Sequence, residues 1–250
     1  MSQDPHDYRD RIYARYRATM FPEDSLVLDE RSQHTTYRKL YGRFLPTDKD
    51  ARILDLGCGE SSFLRFLQTA GYRHLYGVDR SEEQVARARL LSPQAAIQRA
   101  DLFEYLRGRK AEFDLLFCQD VLEHLTKPEV CEGVSLILEA LKPGGHLLAA
   151  TLNAQCPFSS RIFFSDFTHE TGFTPRSVRQ LLSAVGFEPI EIFSRPPVAY
   201  SVMSLGRTLL WASLEPWCRL MLTTMDGRGT ATIDRHDIVT AGMIVRAAKP

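Results

Sequence analysis

Residues 53–67 read ILDLGCGESSFLRFL. An apolar run ending near an acid, Asp55, passes through two closely spaced glycines, Gly57 and Gly59, into a segment with helical periodicity. This is the pattern of a strand, a tight turn and a helix, in which glycine lets the backbone come close to a ligand. The third glycine of a dinucleotide fingerprint is missing, because Ser62 stands in its place.

The same alternation continues on both sides. Short apolar runs (RILDL, HLYGVD, AAIQRAD, FDLLFCQD and HLLAATLN) are separated by helix-like segments such as SSFLRFLQTA, SEEQVARARLL and EVCEGVSLILEAL. Strands alternating with helices predict crossover units and a parallel sheet covered on both faces. KPGG at 142–145 is expected to stop a helix before the next strand, and Ser81 followed by Glu82 and Glu83 to form an N-cap with acids in the first turn. TPRSVRQLLSAVGF reads as a capped helix, EPIEIFSR as the next strand, and IVTAGMIVRAAK as a stretch that closes the sheet.

With 250 residues, 44% hydrophobic and 25% charged, the chain suits one sizeable α/β domain with appendages. Lys+Arg and Asp+Glu balance at 31 each, which argues against nucleic acid or an anionic membrane as a partner. The arginines of YRDRIYARYR are read as a solvated helical face. No apolar run reaches the roughly 18 residues of a membrane span, and MSQDPHDYRD lacks an apolar leader, so a cytoplasmic protein is expected. Five cysteines with no C-x-x-C pair are expected to be reduced thiols used as small apolar residues.

In an open parallel sheet, ligands bind beyond the carboxyl ends of the strands. A carboxylate at Asp55 would repel a pyrophosphate lying on the following helix N-terminus and would favour a cation. S-Adenosylmethionine carries an ammonium and a sulfonium and no phosphate, and so meets that requirement. Asp79, which ends the next strand, can accept from both ribose hydroxyls, a feature that nicotinamide sites share. Asp101, after the third strand, is placed to take the adenine amino group with the backbone at Leu102.

On these residues the chain resembles the class I S-adenosylmethionine-dependent methyltransferases over roughly residues 50 to 195. The matching segments are ILDLGCGE, GVDRSEEQVARAR, ADLFEYL, FDLLFCQDVLEHL and LKPGGHLLAATLN. The resemblance implies a Rossmann-like, seven-stranded, mostly parallel sheet with helices on both faces and the last strand antiparallel. It implies Gly57 and Gly59 under the methionine moiety, Asp79 on the ribose, Asp101 near the adenine, and Gln119 and Asp120 lining the site from the fourth strand. With Asp55, Cys58, Arg80 and Leu102, these form the expected cofactor-binding set.

Methyl transfer is an in-line displacement that rests on alignment, and a hydroxyl acceptor must also lose its proton. His169 in DFTHETGF and His124 in QDVLEHL are the expected catalytic residues, since an imidazole titrates at roughly 6.5. The alternative for His124 is a simple turn into the next helix. Asp120, Glu123, His124 and His169 also resemble the acid-x-x-Glu-His pattern of ubiquinone-pathway O-methyltransferases and small-RNA 2′-O-methyltransferases. That resemblance implies a divalent metal on these four residues, with Asp in place of the usual first Glu.

The expected organisation is an N-terminal helical lid over 1–49 and a methyltransferase domain over 50–250. The domain carries an acceptor-loop insertion at 153–173 and a helical insertion at 198–225. The stretch NAQCPFSSRIFFSDFTHETGFTPRSVRQLLSAVGF resembles methyltransferases of bacterial polysaccharide and lipopolysaccharide clusters, which implies O-methylation of a glycan hydroxyl or a small metabolite. The alternatives are N- or C-methylation of a small molecule and a non-catalytic cofactor-binding subunit. Phe158, Phe163, Phe164 and Phe167 either stack on a sugar ring or fill a core under the loop. Residues 201–222 have a broad apolar surface and two tryptophans, with Pro216 expected to end one helix and begin another. That segment packs on the domain or on a second copy in a homodimer, walls the acceptor site, or makes at most peripheral membrane contact.

Overall fold

The computed structural model describes residues 7–13, 16, 19, 29–225 and 238–250. Seven strands form one sheet: β1 Arg52–Leu56, β2 His74–Asp79, β3 Ala96–Arg99, β4 Phe113–Gln119, β5 Leu141–Leu152, β6 Ile190–Ser194 and β7 Gly242–Ala248. Their spatial order is β3-β2-β1-β4-β5-β7-β6. Strands β1 to β5 pair in parallel, and β7 lies antiparallel between β5 and β6. The helices are α1 Asp7–Tyr13, α2 Glu30–Tyr41, α3 Ser62–Thr69, α4 Glu82–Leu91, α5 Leu102–Leu106, α6 Lys127–Ala140, α7 Ser159–Phe163, α8 Pro175–Val185 and α9 Val202–Met225.

Side chains alternate across a strand, so neighbouring apolar residues of β1 feed opposite layers. Ile53 joins Leu115, Phe117, Leu148 and Ile244 against α2 and α3, with the Phe63 ring stacked on Phe117 at 3.7 Å. Leu54 and Leu56 join Leu116, Leu147 and Val245 against Val130, Val134 and Ile137 of α6 and Val178 and Leu182 of α8. Burial on both faces is why the central strands read as nearly unbroken apolar runs.

The Ser81 cap accepts from the Gln84 N–H as expected, and Thr174 caps α8 by accepting from Ser177. Three local expectations are corrected. KPGG does not separate helix from strand: α6 has already stopped at Ala140, and residues 142–145 lie inside β5, opposite a register shift between Phe113 and Leu115. A Cβ at Gly145 would meet the Lys142 and Phe113 carbonyls at 2.9 and 3.0 Å, so the bulge needs glycine there. Pro216 does not divide two helices. Helix α9 runs through it, and the Glu215–Arg219 ion pair spans the position where one backbone donor is lost. The arginines of the N-terminal segment are not uniformly solvated, because Arg9 is buried and paired with Glu129, whereas Arg11 is exposed. Arg15 and Arg17 lie outside the described residues.

All five cysteines are free, four of them buried and Cys131 exposed. No helix of the described residues is long and apolar enough to cross a membrane.

Candidate active site

The chain turns back at β1: β2 and β3 lie on one side of it and β4 on the other. Ligand crevices form at the carboxyl ends of strands at such a reversal. There a cavity of about 280 Å³ is lined by seven of the expected cofactor residues: Gly57, Gly59, Asp79, Arg80, Asp101, Leu102 and Asp120. Arg9, Tyr13 and Tyr16 line it from the N-terminal segment, and Arg80 stacks its guanidinium over the Tyr13 ring. Helix α2 lies elsewhere, with Tyr41 packed edge-on against Phe117.

The turn after β1 is built for close approach. Gly57 and Gly59 have φ of 71° and 51°, and an added Cβ would meet Val121 Cγ2 at 2.5 Å or Gln84 Oε1 at 2.8 Å. The Asp79 carboxylate accepts from the Gly59 and Ser81 N–H groups, which ties this turn to the end of β2. Asp101 caps α5 by accepting from Phe103 N–H at 2.8 Å. Both acids therefore also serve as local caps, yet each carboxylate oxygen has a second lone pair for a ligand.

Asp55, Cys58 and Gln119 do not line the cavity. Asp55 is buried in β1, and burial, then the nearby Asp79 charge, pushes its carboxyl well above the usual range. Burial likewise raises Asp79. Burial of two neighbouring carboxyl groups disfavours a further negative charge beside them, and a bound cation would draw both back toward ionisation. Burial pushes the Cys58 thiol far up, which keeps it uncharged. Gln119 accepts from Tyr41 Oη at 2.9 Å and donates to Asp120 at 3.1 Å.

The expected four-residue metal set does not assemble. Asp120, in the left-handed region with φ of 53°, is held by Arg195 through hydrogen bonds of 2.7 and 3.2 Å. Glu123 is buried and accepts from Thr151 Oγ1 at 2.9 Å, and burial followed by the Asp120 charge pushes its carboxyl upward. The ligand-capable atoms that do come together are those of His124, Asp166 and His169, within 4.8 Å of one another.

Two of them, His124 and Asp166, are joined through Thr168 by a hydrogen-bond chain, and His169 is held separately. Thr168 Oγ1 donates to Asp166 Oδ1 at 2.7 Å, so its single proton is spent and it accepts from His124 Nδ1 at 2.8 Å. His169 Nδ1 donates to the Phe163 carbonyl at 2.7 Å. In its neutral form each ring therefore keeps its lone pair on Nε2. Tyr16 Oη donates to Asp166 Oδ2 at 2.6 Å. Burial would raise Asp166, but the bonds from Tyr16 and Thr168 outweigh it and the carboxyl is held below its ordinary value. Burial, and then the neighbouring His169, lowers His124 to about 4.

A family profile described as a methyltransferase domain matches residues 29–192. The chain belongs to the methyltransferase domain family. Its fold is that of class I S-adenosylmethionine-dependent methyltransferases. It is 20% identical, with a TM-score of 0.64, to an S-adenosylmethionine-dependent methyltransferase from Archaeoglobus fulgidus, over 88% of this chain and 94% of that one. It is also 18% identical, with a TM-score of 0.60, to Haemonchus contortus phosphoethanolamine N-methyltransferase 2 bound to S-adenosylhomocysteine, over 95% of this chain and 60% of that one. In sequence it is 30% identical to the ubiquinone biosynthesis O-methyltransferase of Aromatoleum aromaticum, over 41% of this chain and 44% of the relative. The chain thus spans less than half the length of that relative.

For a methyltransferase domain, several site residues here escaped the sequence reading. Arg195 follows the end of β6 and Arg9 precedes the domain core, and neither sits in a motif. The readable signal was that Arg195 stands at a strand end, where this sheet binds ligands.

Proposed function

We propose that the protein transfers a methyl group from S-adenosylmethionine to a hydroxyl of a sugar or other small metabolite. The observation that carries this reading is the pair of imidazoles, His124 and His169, each with Nδ1 engaged and Nε2 left as the acceptor of a proton. S-Adenosylmethionine, when bound, supplies an electrophilic methyl on a sulfonium leaving group. The Gly57 and Gly59 turn admits its backbone contact, and Asp79 accepts from its ribose. His169 Nε2 takes the proton of the acceptor hydroxyl, while Asp166, held ionised, supplies the opposing charge. His124 holds a proton too weakly to serve as the base, and through Thr168 it is tied to Asp166 beside His169.

The exposed rings of Phe158, Phe164 and Phe167 support a ring-shaped acceptor, because they fill no core beneath the loop. The name of the Aromatoleum relative supports oxygen as the methylated atom. The test is incubation with methyl-deuterated S-adenosylmethionine and a panel of hydroxylated sugars and phenols, with products read by mass spectrometry and NMR. An O-methyl ether made by the protein and lost in His169→Gln is the expected result. An N- or C-methyl product, or full turnover in that variant, overturns the reading.

A further inference from the structure

A second cavity, of about 380 Å³, opens beyond the ends of β5 and β6 and at the start of β7, with Arg207 and Trp211 of α9 in its lining. Its walls are apolar at Leu40, Leu152 and the Pro196–Pro197–Val198 run. Two guanidinium groups, Arg195 and Arg207, line it, and among the described residues no acidic side chain does. Arg195 spends two N–H groups on Asp120, which itself lines the cofactor cavity. A guanidinium has about five N–H donors, so this pair leaves others for a ligand. The Arg195–Asp120 pair therefore stands between the two cavities.

Two features of α9 are unexplained by packing. The Trp211 indole Nε1 is buried and has no hydrogen-bond partner among the described residues. A buried donor without a partner is a standing cost to the fold. Arg207 is exposed beside the Tyr200 ring and forms no ion pair with a carboxylate among the described residues. Two residues that line one apolar-walled cavity thus carry, among the described residues, a buried N–H with no partner and a guanidinium with no acidic neighbour, which together complement an anion carried on an apolar body.

We propose that this cavity is the acceptor's anion subsite, in which Arg207 and the Trp211 indole hold a carboxylate or phosphate ester of the acceptor. The subsite rests on the methyl-transfer reading for its role, but its ligand chemistry stands on these residues alone. Arg195 connects it to the reaction centre: the guanidinium that faces the anion also holds Asp120 at the cofactor cavity.

The experiment titrates the full chain carrying Trp217→Phe, so that Trp211 is the sole indole, in the presence of saturating S-adenosylhomocysteine. The probes are benzoate, phenyl phosphate and the uncharged benzamide, followed by indole fluorescence. Saturable binding of benzoate or phenyl phosphate, at least tenfold tighter than benzamide, is expected, and the tighter of the two identifies the anion as carboxylate or phosphate. Arg207→Gln, an exposed change, should weaken that binding at least tenfold while leaving the melting temperature unchanged. Trp211→Phe should weaken it as well, read by calorimetry. Equal binding of benzamide, no binding of either anion, or unchanged affinity in Arg207→Gln overturns the subsite. Calorimetry of S-adenosylhomocysteine alone reports separately on the methyl-transfer reading, so the two can fail independently.

Discussion

The rings of His124 and His169 lie 4.7 Å apart between centroids, and each is pinned by a hydrogen bond at Nδ1. Pinning by Thr168 and by the Phe163 carbonyl fixes the tautomer of each neutral ring, so each presents its Nε2 lone pair. If His169 is the proton acceptor, His169→Ala should lower kcat by roughly 100-fold or more. The affinity for S-adenosylhomocysteine should stay unchanged, as calorimetry would show. A loss confined to cofactor affinity would assign His169 to binding instead.

Protonation of His124 should be visible as acid sensitivity. Its folded-state value is about 4 against an ordinary 6.5, so between those values the unfolded chain binds more protons. The contribution is present above 6.5 and is lost as pH falls through 4. Denaturant midpoints across that window should decline for the native sequence and decline less for His124→Gln. Parallel curves would show that His124 does not carry the dependence.

Cofactor affinity should depend on backbone space at Gly57 and on the Asp79 acceptor. Gly57→Val forces a side chain into Val121 at a positive φ, and it should abolish measurable binding of S-adenosylhomocysteine. Asp79→Ala should weaken binding by about 1.5–3 kcal/mol, the usual worth of hydrogen bonds to a charged acceptor. Isothermal titration of both variants, with circular dichroism as a check on folding, measures this.

Turnover should survive exhaustive chelation. The two carboxylates that resembled a metal site are engaged elsewhere, Asp120 by Arg195 and Glu123 by Thr151, and Asp166 already accepts from Tyr16 and Thr168. Activity lost to a chelator and restored by magnesium or zinc would show that His124, Asp166 and His169 rearrange around an ion.

The order of elements was legible because the central strands are buried on both faces, so Ile53 and Leu54 signal a strand whichever layer each one enters. The turn glycines and the acids at the ends of β2 and β3 were legible for the same local reason. What the sequence hid depends on partners distant in the chain. KPGG became a bulge only because β4 offers the Phe113 carbonyl against it. Asp120 looks like a metal ligand until Arg195, 75 positions away, is brought onto it. Arg9 looks solvated until Glu129 meets it with bonds of 2.7 and 2.9 Å.

Strand β6 has a single neighbour in the sheet, β7, and β7 is also what lies between β6 and β5. During synthesis the strands that shape the cofactor cavity, β1 to β5, can pair as soon as residue 152 has left the ribosome. The far half cannot: β6 waits, unpaired, for residues 242–248, and with it waits Arg195, whose backbone N–H bonds to the Gly242 carbonyl at 3.2 Å. The wall between the two cavities is therefore assembled last. A nascent chain stalled before β7 would carry the cofactor turn and its acids while lacking the clamp on Asp120.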